Sequence, residues 1–357
     1  MNLQKMSFIG VVTSKEENMA FIMLKEIMLK DGYATIYENK QGNIIFFKKN
    51  DKNIGLIEIT PLIAEGLLSL NLNFQVLIHT FLEDEDYNKL AIQKLFKRTK
   101  KFVILNTDEE KSINLIENNN DALIVTYGFN KKSTVTASSF QITNSINFNF
   151  CLQRQLLTLN GDEIEPFEIP ITLDLIGKWN IYYALAAIIG SICYNIKINI
   201  INAALKNIRS SGREYEKIYE ADYLIIDNYC KDSLALNLTF ETIQNLKYKE
   251  LIIFWGIEID EGIVSIKENI DVIISWLPIL GVNTLLFHMD NQNKLIEDNI
   301  KIMLEKKGVD FSIYYDLKLS IGKGIELLNK NDILLLVGGE NLNKAKEIIN
   351  LELANKF

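Results

Sequence analysis

Short apolar runs and helix-period stretches alternate through the first part of the chain. Runs of strand length fall at residues 8–12, 53–59, 74–78, 102–105 and 122–126. Apolar residues recur at helical spacing at 19–30, 86–99 and 109–117. Such alternation predicts a mostly parallel sheet with helices on both faces. From Thr134 to Ile171 the pattern shortens to alternating segments with turn signals such as Asn160-Gly161-Asp162, which reads as an antiparallel ribbon attached to that sheet. A helical block follows at 177–194 and 199–208. Arg209-Ser210-Ser211-Gly212 is short, polar and glycine-containing, as a linker is. Beyond it a second alternation begins, with strands at 223–227, 251–254, 284–287, 311–314 and 333–337. Its helices fall at 234–246, 294–307, 319–329 and 342–351. The expected fold class is therefore α/β: a larger domain over 1–208 and a smaller Rossmann-like α/β domain over 213–357.

Composition narrows the class. The chain has 357 residues, 48% of them hydrophobic and 24% charged, with 4 prolines, which is the profile of a globular protein. A net charge of −8 and a pI near 5.1 disfavour general nucleic-acid binding. Cys151, Cys193 and Cys230 are odd in number and scattered, which fits a reducing cytoplasm without structural zinc. Two histidines, His79 and His288, argue against a histidine-rich metal site. No signal peptide opens the chain, and its apolar runs are too short or too interrupted to cross a bilayer, so no membrane partner is expected.

The first strand leads into a polar turn, Thr13-Ser14-Lys15-Glu16-Glu17-Asn18, and then a helix. Strand, turn and helix in this order are the layout of a phosphate-binding loop, making the domain P-loop-NTPase-like. Such a loop needs bare backbone N–H groups, a lysine for the β/γ-phosphates and a Ser/Thr for Mg²⁺. Here Glu16, Glu17 and Asn18 stand where Gly-Lys-Thr is expected. Two like charges 4 Å apart repel by about 4 kcal/mol at an effective dielectric of 20, so these carboxylates oppose a triphosphate. Ser14-x-x-Glu17 reads instead as a capping box, with both acids in a first helical turn whose dipole favours them. The loop is thus read as degenerate.

Three motifs then occur in order. Gly177-Lys178-Trp179-Asn180 through Ala187 is followed by Gly212-Arg213 with Glu214 or Glu216, and then by Asp227-Asn228-Tyr229-Cys230. Together they resemble the signature, the linker motif and the following acidic motif of the Mur ligases. Further segments are similar to the branch that adds the third residue of the peptidoglycan stem peptide: Glu58-Ile59-Thr60, residues 74–86, Ala91 to Phe96 around Lys94, Leu105 to Asp108, Phe254 to Asp260, Asp290-Asn291-Gln292-Asn293 and Val337 to Glu340. The resemblance implies a central and a C-terminal ligase domain, with no counterpart expected for the family's UDP-sugar domain.

Enzymes of that family activate a carboxylate as an acyl phosphate with ATP and Mg²⁺, and an amine then attacks. The resemblance makes Glu58 and Lys94 catalytic candidates, Glu58 also a metal ligand, and Asp86 a second metal ligand in place of a histidine. Oxygen donors suit Mg²⁺. Each has a plainer reading, Glu58 as a strand-end carboxylate, Asp86 in a solvated acidic loop and Lys94 on a lysine-rich helix face. Asn180, Arg213 and Asp227 match nucleotide-contacting positions, though Arg213 and Asp227 equally suit a structural hinge. Asp290 and Asn291 match the amino-acid motif, but Asn293 replaces its arginine, and an amide supplies no charged bidentate fork. Glu58 and Lys94 are expected to face one another across the central cleft. Losses gather at the two ligand sites, which points to a non-catalytic pseudo-ligase acting as a partner or regulatory subunit of an active ligase. ATP and Mg²⁺ are its cofactors only if the activity is retained. The alternatives are an active ATP-dependent acid–amino acid ligase with a non-standard loop, and a small-ligand-binding module.

Overall fold

The computed structural model describes residues 6–356 except 15–17, 71, 73, 118–120 and 211. The chain divides into two compact units, Met1–Ile208 and Arg209–Phe357.

Unit 1 runs β1 (Ser7–Thr13), α1 (Met19–Lys30), β2 (Ala34–Glu38), β3 (Ile44–Lys49), β4 (Lys52–Ile59), α2 (Pro61–Ser69), β5 (Phe74–Phe81), α3 (Leu90–Arg98), β6 (Phe102–Asn106) and β7 (Leu123–Tyr127). The ribbon follows as β8 (Val135–Ile142), β9 (Ile146–Leu152), β10 (Leu156–Leu157), β11 (Glu163–Ile164) and β12 (Phe167–Leu173), then α4 (Trp179–Cys193) and α5 (Ile198–Leu205). Ten strands form one sheet in the order β12-β9-β8-β7-β6-β5-β1-β4-β3-β2. Its centre, from β4 through β1 to β8, is parallel, and both flanks are antiparallel. Helices α1, α4 and α5 cover one face, and α2 with α3 covers the other. Strand β1 is buried along nearly its whole length, as a central parallel strand must be.

The sequence pattern misses several elements. Strand β2 is exposed throughout and shows no alternation to read. Strand β3 was signalled by Gly42, whose φ of 73° makes the turn before it. Helix α2 was signalled by Pro61 at its first turn. The expected helices at 86–99 and 109–117 are shorter: α3 follows a single 3₁₀ turn at Asp86–Asn88, and Glu110–Leu115 is 3₁₀ throughout.

Unit 2 runs β13 (Glu216–Glu220), β14 (Leu224–Tyr229), α6 (Ser233–Ile243), β15 (Leu251–Ile257), α7 (Gly262–Leu280), β16 (Thr284–Met289), α8 (Lys294–Leu304), β17 (Asp310–Tyr314), α9 (Leu317–Leu327), β18 (Ile333–Gly338) and α10 (Ala345–Lys356). The sheet order is β13-β14-β18-β15-β16-β17, parallel except for β13. Pro278 conceals α7 from a pattern reading, yet it sits in the last turn, and Gly281 ends the helix at φ 64°.

Candidate functional site

The carboxyl ends of β1, β4 and β5 bring together several of the expected residues of unit 1. Asn18 is 5% exposed and caps α1: its Oδ1 accepts from the Ala20 N–H at 2.9 Å. Its Nδ2 donates to Thr13 Oγ1 at 3.2 Å and to Thr80 Oγ1 at 3.0 Å, and its own N–H donates to Glu58 Oε1 at 2.6 Å. Glu58, 3% exposed at the end of β4, is thereby tied to the start of α1.

The capping-box expectation is corrected. Helix α1 begins at Met19 with Asn18 as its cap, so Ser14 lies too early to cap it. The Ser14 hydroxyl instead donates to Asp86 Oδ2 and accepts from the Glu83 N–H at 2.7 Å, while the Ser14 N–H bonds to the Phe81 carbonyl at 3.0 Å. The turn after β1 is thus stapled to the loop after β5. Glu16 and Glu17, with the charge argument they carry, lie outside the described residues.

Asp86 is buried, not part of a solvated loop. Its other oxygen pairs with Lys89 Nζ at 2.7 Å. Both carboxylate oxygens are therefore engaged by protein donors. Among the described residues no three His, Cys, Asp or Glu side chains form a metal-holding group. Glu58 and Asp86 have the oxygen chemistry Mg²⁺ takes, but Asp86 turns its two oxygens to Ser14 and Lys89 in this arrangement.

Glu58 and Lys94 are not brought together. Lys94 is exposed on α3, in a depression with Leu90, Gln93, Lys97, Asn114, Leu115 and Glu117. Helix α3 turns Ala91, Ile92, Leu95 and Phe96 inward, and the helical period leaves Lys94 and Lys97 on the opposite face. Asn180 is half-buried at the start of α4, and its amide donates to the Ile176 carbonyl at 2.8 Å.

A buried chain beside this edge was not read from the sequence. The fully buried His79 contacts the Tyr87 hydroxyl through Nε2 at 3.0 Å, and Tyr87 in turn bonds to Glu109. Burial lowers the His79 pKa to about 3, so the ring is neutral.

In unit 2, Arg213 and Asp227 form an ion pair at 2.9 Å. The Arg213 guanidinium also donates to the Gly338 and Gly339 carbonyls and to Asn343, binding the end of β18. Asp227 is fully buried; burial pushes its carboxyl up, and Arg213 opposes that. Both side chains thus have structural contacts within unit 2. Asp290 and Asn291 line a depression of about 430 Å³ at the ends of β15, β16 and β18, with Glu258, Asp260, Glu340 and Asn341. Lys231 lies 3.5 Å from Glu258 and 3.9 Å from Glu340. Beside it, burial and then Glu258 raise the Glu261 pKa to about 7. The buried His288 contacts Asp290 Oδ1 at 3.3 Å. Asn293 caps α8 through the Ile296 N–H at 3.3 Å, a helical role at the position where the family motif has its arginine.

Two units with these strand orders have counterparts among known proteins. Residues 80–190 match the Mur ligase middle domain. Over that stretch this chain is similar to the Mur ligases. It is 24% identical over 243 residues to the UDP-N-acetylmuramoyl-L-alanyl-D-glutamate–2,6-diaminopimelate ligase of Oceanobacillus iheyensis, covering 67% of this chain and 46% of that one. It is 26% identical over 254 residues to the UDP-N-acetylmuramate–L-alanine ligase of Ruthia magnifica subsp. Calyptogena magnifica, covering 68% and 51%. The chain thus spans about half the length of the curated relatives it matches. A solved UDP-N-acetylmuramoyl-L-alanyl-D-glutamate–2,6-diaminopimelate ligase shares the fold, with a TM-score of 0.74 at 13% identity over 98% of this chain and 79% of that one. The α/β architecture of the Mur-ligase-like chain, a large mostly parallel sheet and a second sheet domain, is that of these ligases. No helix among the described residues is long and apolar enough to cross a membrane.

Proposed function

We propose that this Mur-ligase-like chain has lost ordinary ATP turnover. It acts as a cytoplasmic partner or regulatory subunit of an active amide-forming ligase, in cell-wall or polyamino-acid metabolism. The observation that carries this reading is Asn18. A phosphate-binding helix start works by leaving its N–H groups unsatisfied until the anion arrives. Asn18 fills that role from within, capping α1 and anchoring its amide on Thr13 and Thr80. The Glu16-Glu17 pair adds like charge against a triphosphate.

Calorimetric titration with ATP and Mg²⁺ tests the proposal. The unaltered protein binds weakly or not at all, and the triple substitution Glu16→Gly, Glu17→Lys, Asn18→Thr strengthens binding. Tight, Mg²⁺-dependent binding in the micromolar range by the unaltered protein overturns it. The second reading, an active acid–amino acid ligase, is favoured by the buried Glu58 carboxylate at the strand end and by relatives that are themselves ligases. ATP-dependent phosphate release by the unaltered chain, abolished in Glu58→Gln, would establish that alternative.

A further inference from the structure

Five aromatic side chains from separate parts of unit 1 form a continuous ladder. Phe81, ending β5, meets Trp179, the first residue of α4, with ring centroids 6.5 Å apart. Trp179 lies against Tyr182 at 5.5 Å, Tyr182 meets Phe129 edge-on at 4.9 Å, and Phe129 meets Phe140 at 5.4 Å. The ladder is not core: Trp179 is 55% exposed and Phe140 47%. Backbone irregularity accompanies its outer end. Strand β8 carries one extra residue between Ser138 and Gln141 relative to β9, and Ser139 adopts φ 49°. A bulge of this kind re-aims a side chain, and a non-glycine residue at positive φ persists only where its surroundings enforce it.

The charge around the ladder selects its ligand. Lys178 Nζ already sits 4.6 Å from the Phe129 centroid and 5.9 Å from that of Phe140, so these rings hold an ammonium. Asp108 Oδ2 accepts from the Tyr182 hydroxyl at 2.8 Å and from the Phe129 N–H at 2.6 Å, and its Oδ1 accepts one bond, from the Asn130 N–H at 3.2 Å, which puts a carboxylate directly against the rings. Phe81 leads into a loop in which Glu83, Asp84 and Glu85 are exposed, Asp84 being paired with Lys111 at 2.6 Å. Ring faces edged by carboxylates attract a guanidinium, which stacks and pairs with a carboxylate at once, and repel a polyphosphate.

We propose that the Phe81–Trp179–Tyr182–Phe129–Phe140 ladder is a docking surface for an arginine-bearing extended segment of a partner protein, with Asp108 as the counter-ion. This deepens the reading of the chain as a partner subunit by naming the surface and the chemistry it recognises.

The test titrates the full chain with an acetylated, amidated peptide of alternating glycine and arginine, followed by calorimetry and tryptophan fluorescence. Its citrulline counterpart, uncharged but of the same shape, is the control. The arginine peptide binds and the citrulline peptide does not. Trp179→Ala and Phe140→Ala each weaken binding about tenfold, while Trp179→Phe keeps most of it. Lys178→Ala strengthens binding, because it removes the internal competitor for the rings. Absence of arginine-peptide binding, equal binding of both peptides, or affinity unchanged in Trp179→Ala overturns the proposal. So does displacement of the arginine peptide by adenosine, which would make the ladder a base-stacking surface. ATP titration of the unaltered protein is a separate readout, so failure of the pseudo-ligase reading would be told apart from failure of the docking surface.

Discussion

Two asparagines stand where the Mur ligase motifs place ligand-handling residues, and both cap helices. By the resemblance, Asn18 stands where a phosphate-loop Ser/Thr is expected and Asn293 where the amino-acid motif has an arginine; they cap α1 and α8. Their surroundings differ. Asn18 is buried, with its side chain bonded to Thr13, Thr80 and the Ala20 N–H and its own N–H bonded to Glu58. Asn293 is half-exposed and makes one long side-chain bond, beside a depression lined by carboxylates. An asparagine cap is therefore buried and closely bonded in unit 1 and half-exposed beside a depression in unit 2. A helix start that satisfies itself in a dry setting is hard to reopen, because any ligand must displace buried bonds.

Asn18→Ala should show the largest effect. Loss of the cap costs about 1 kcal/mol, and the loss of two buried side-chain partners adds a further 1–3 kcal/mol or so. Urea unfolding followed in unit 1 should record a drop of roughly 2–4 kcal/mol. A drop no larger than that of Asn293→Ala would remove the distinction between the two edges.

The pH response sharpens it next. The unfolded His79 takes up a proton below about 6.5, whereas the folded, buried ring resists until about 3. The unfolded state holds more protons in that window, so acidification from pH 6.5 towards 3 destabilises unit 1, by on the order of 3 kcal/mol at pH 4. Protection factors for hydrogen exchange in unit 1, corrected for the slower intrinsic exchange in acid, should fall over this window in the native protein and much less in His79→Gln. Equal acid sensitivity in both would assign the effect to other groups.

Asn293→Ala should cost only about 0.5–1 kcal/mol, an ordinary exposed cap, read as a small shift in the urea midpoint of unit 2. The smallest effect has the opposite sign to that of His79. Folded Glu261 keeps its proton to about 7, above its unfolded value of 4.5, so its contribution is full below pH 4.5 and is lost as pH rises through 7. Glu261 is partly exposed, and screening holds the change to a fraction of a kcal/mol. Glu261→Gln should flatten that decline in unit 2 and leave unit 1 untouched. A decline that persists in the variant would place its origin in another carboxylate.

Much of the framework was legible locally. The apolar strands of both units and helices such as α1 follow from period and length, because each buries a face whose spacing is written along a short stretch of chain. The replacements at Glu16, Glu17, Asn18 and Asn293 were equally plain, since the departure from a motif needs no third dimension. What each replacement does was not. Nothing near Ser14 announces that its hydroxyl reaches Asp86, 72 residues away, or that Asn18 meets Thr80, 62 residues on. Lys94 had the right neighbours in sequence and the wrong face in space, because the apolar side of α3 chooses which way the helix turns. The aromatic ladder draws on residues 81, 129, 140, 179 and 182, which share no period and no motif. The sequence by itself determined most of the apolar strands and several helices, and showed where residues depart from those the resemblance leads one to expect. Only the tertiary structure decided which side chains meet, because parallel strand pairing brings distant strand ends to one edge and packing then fixes every side chain's direction.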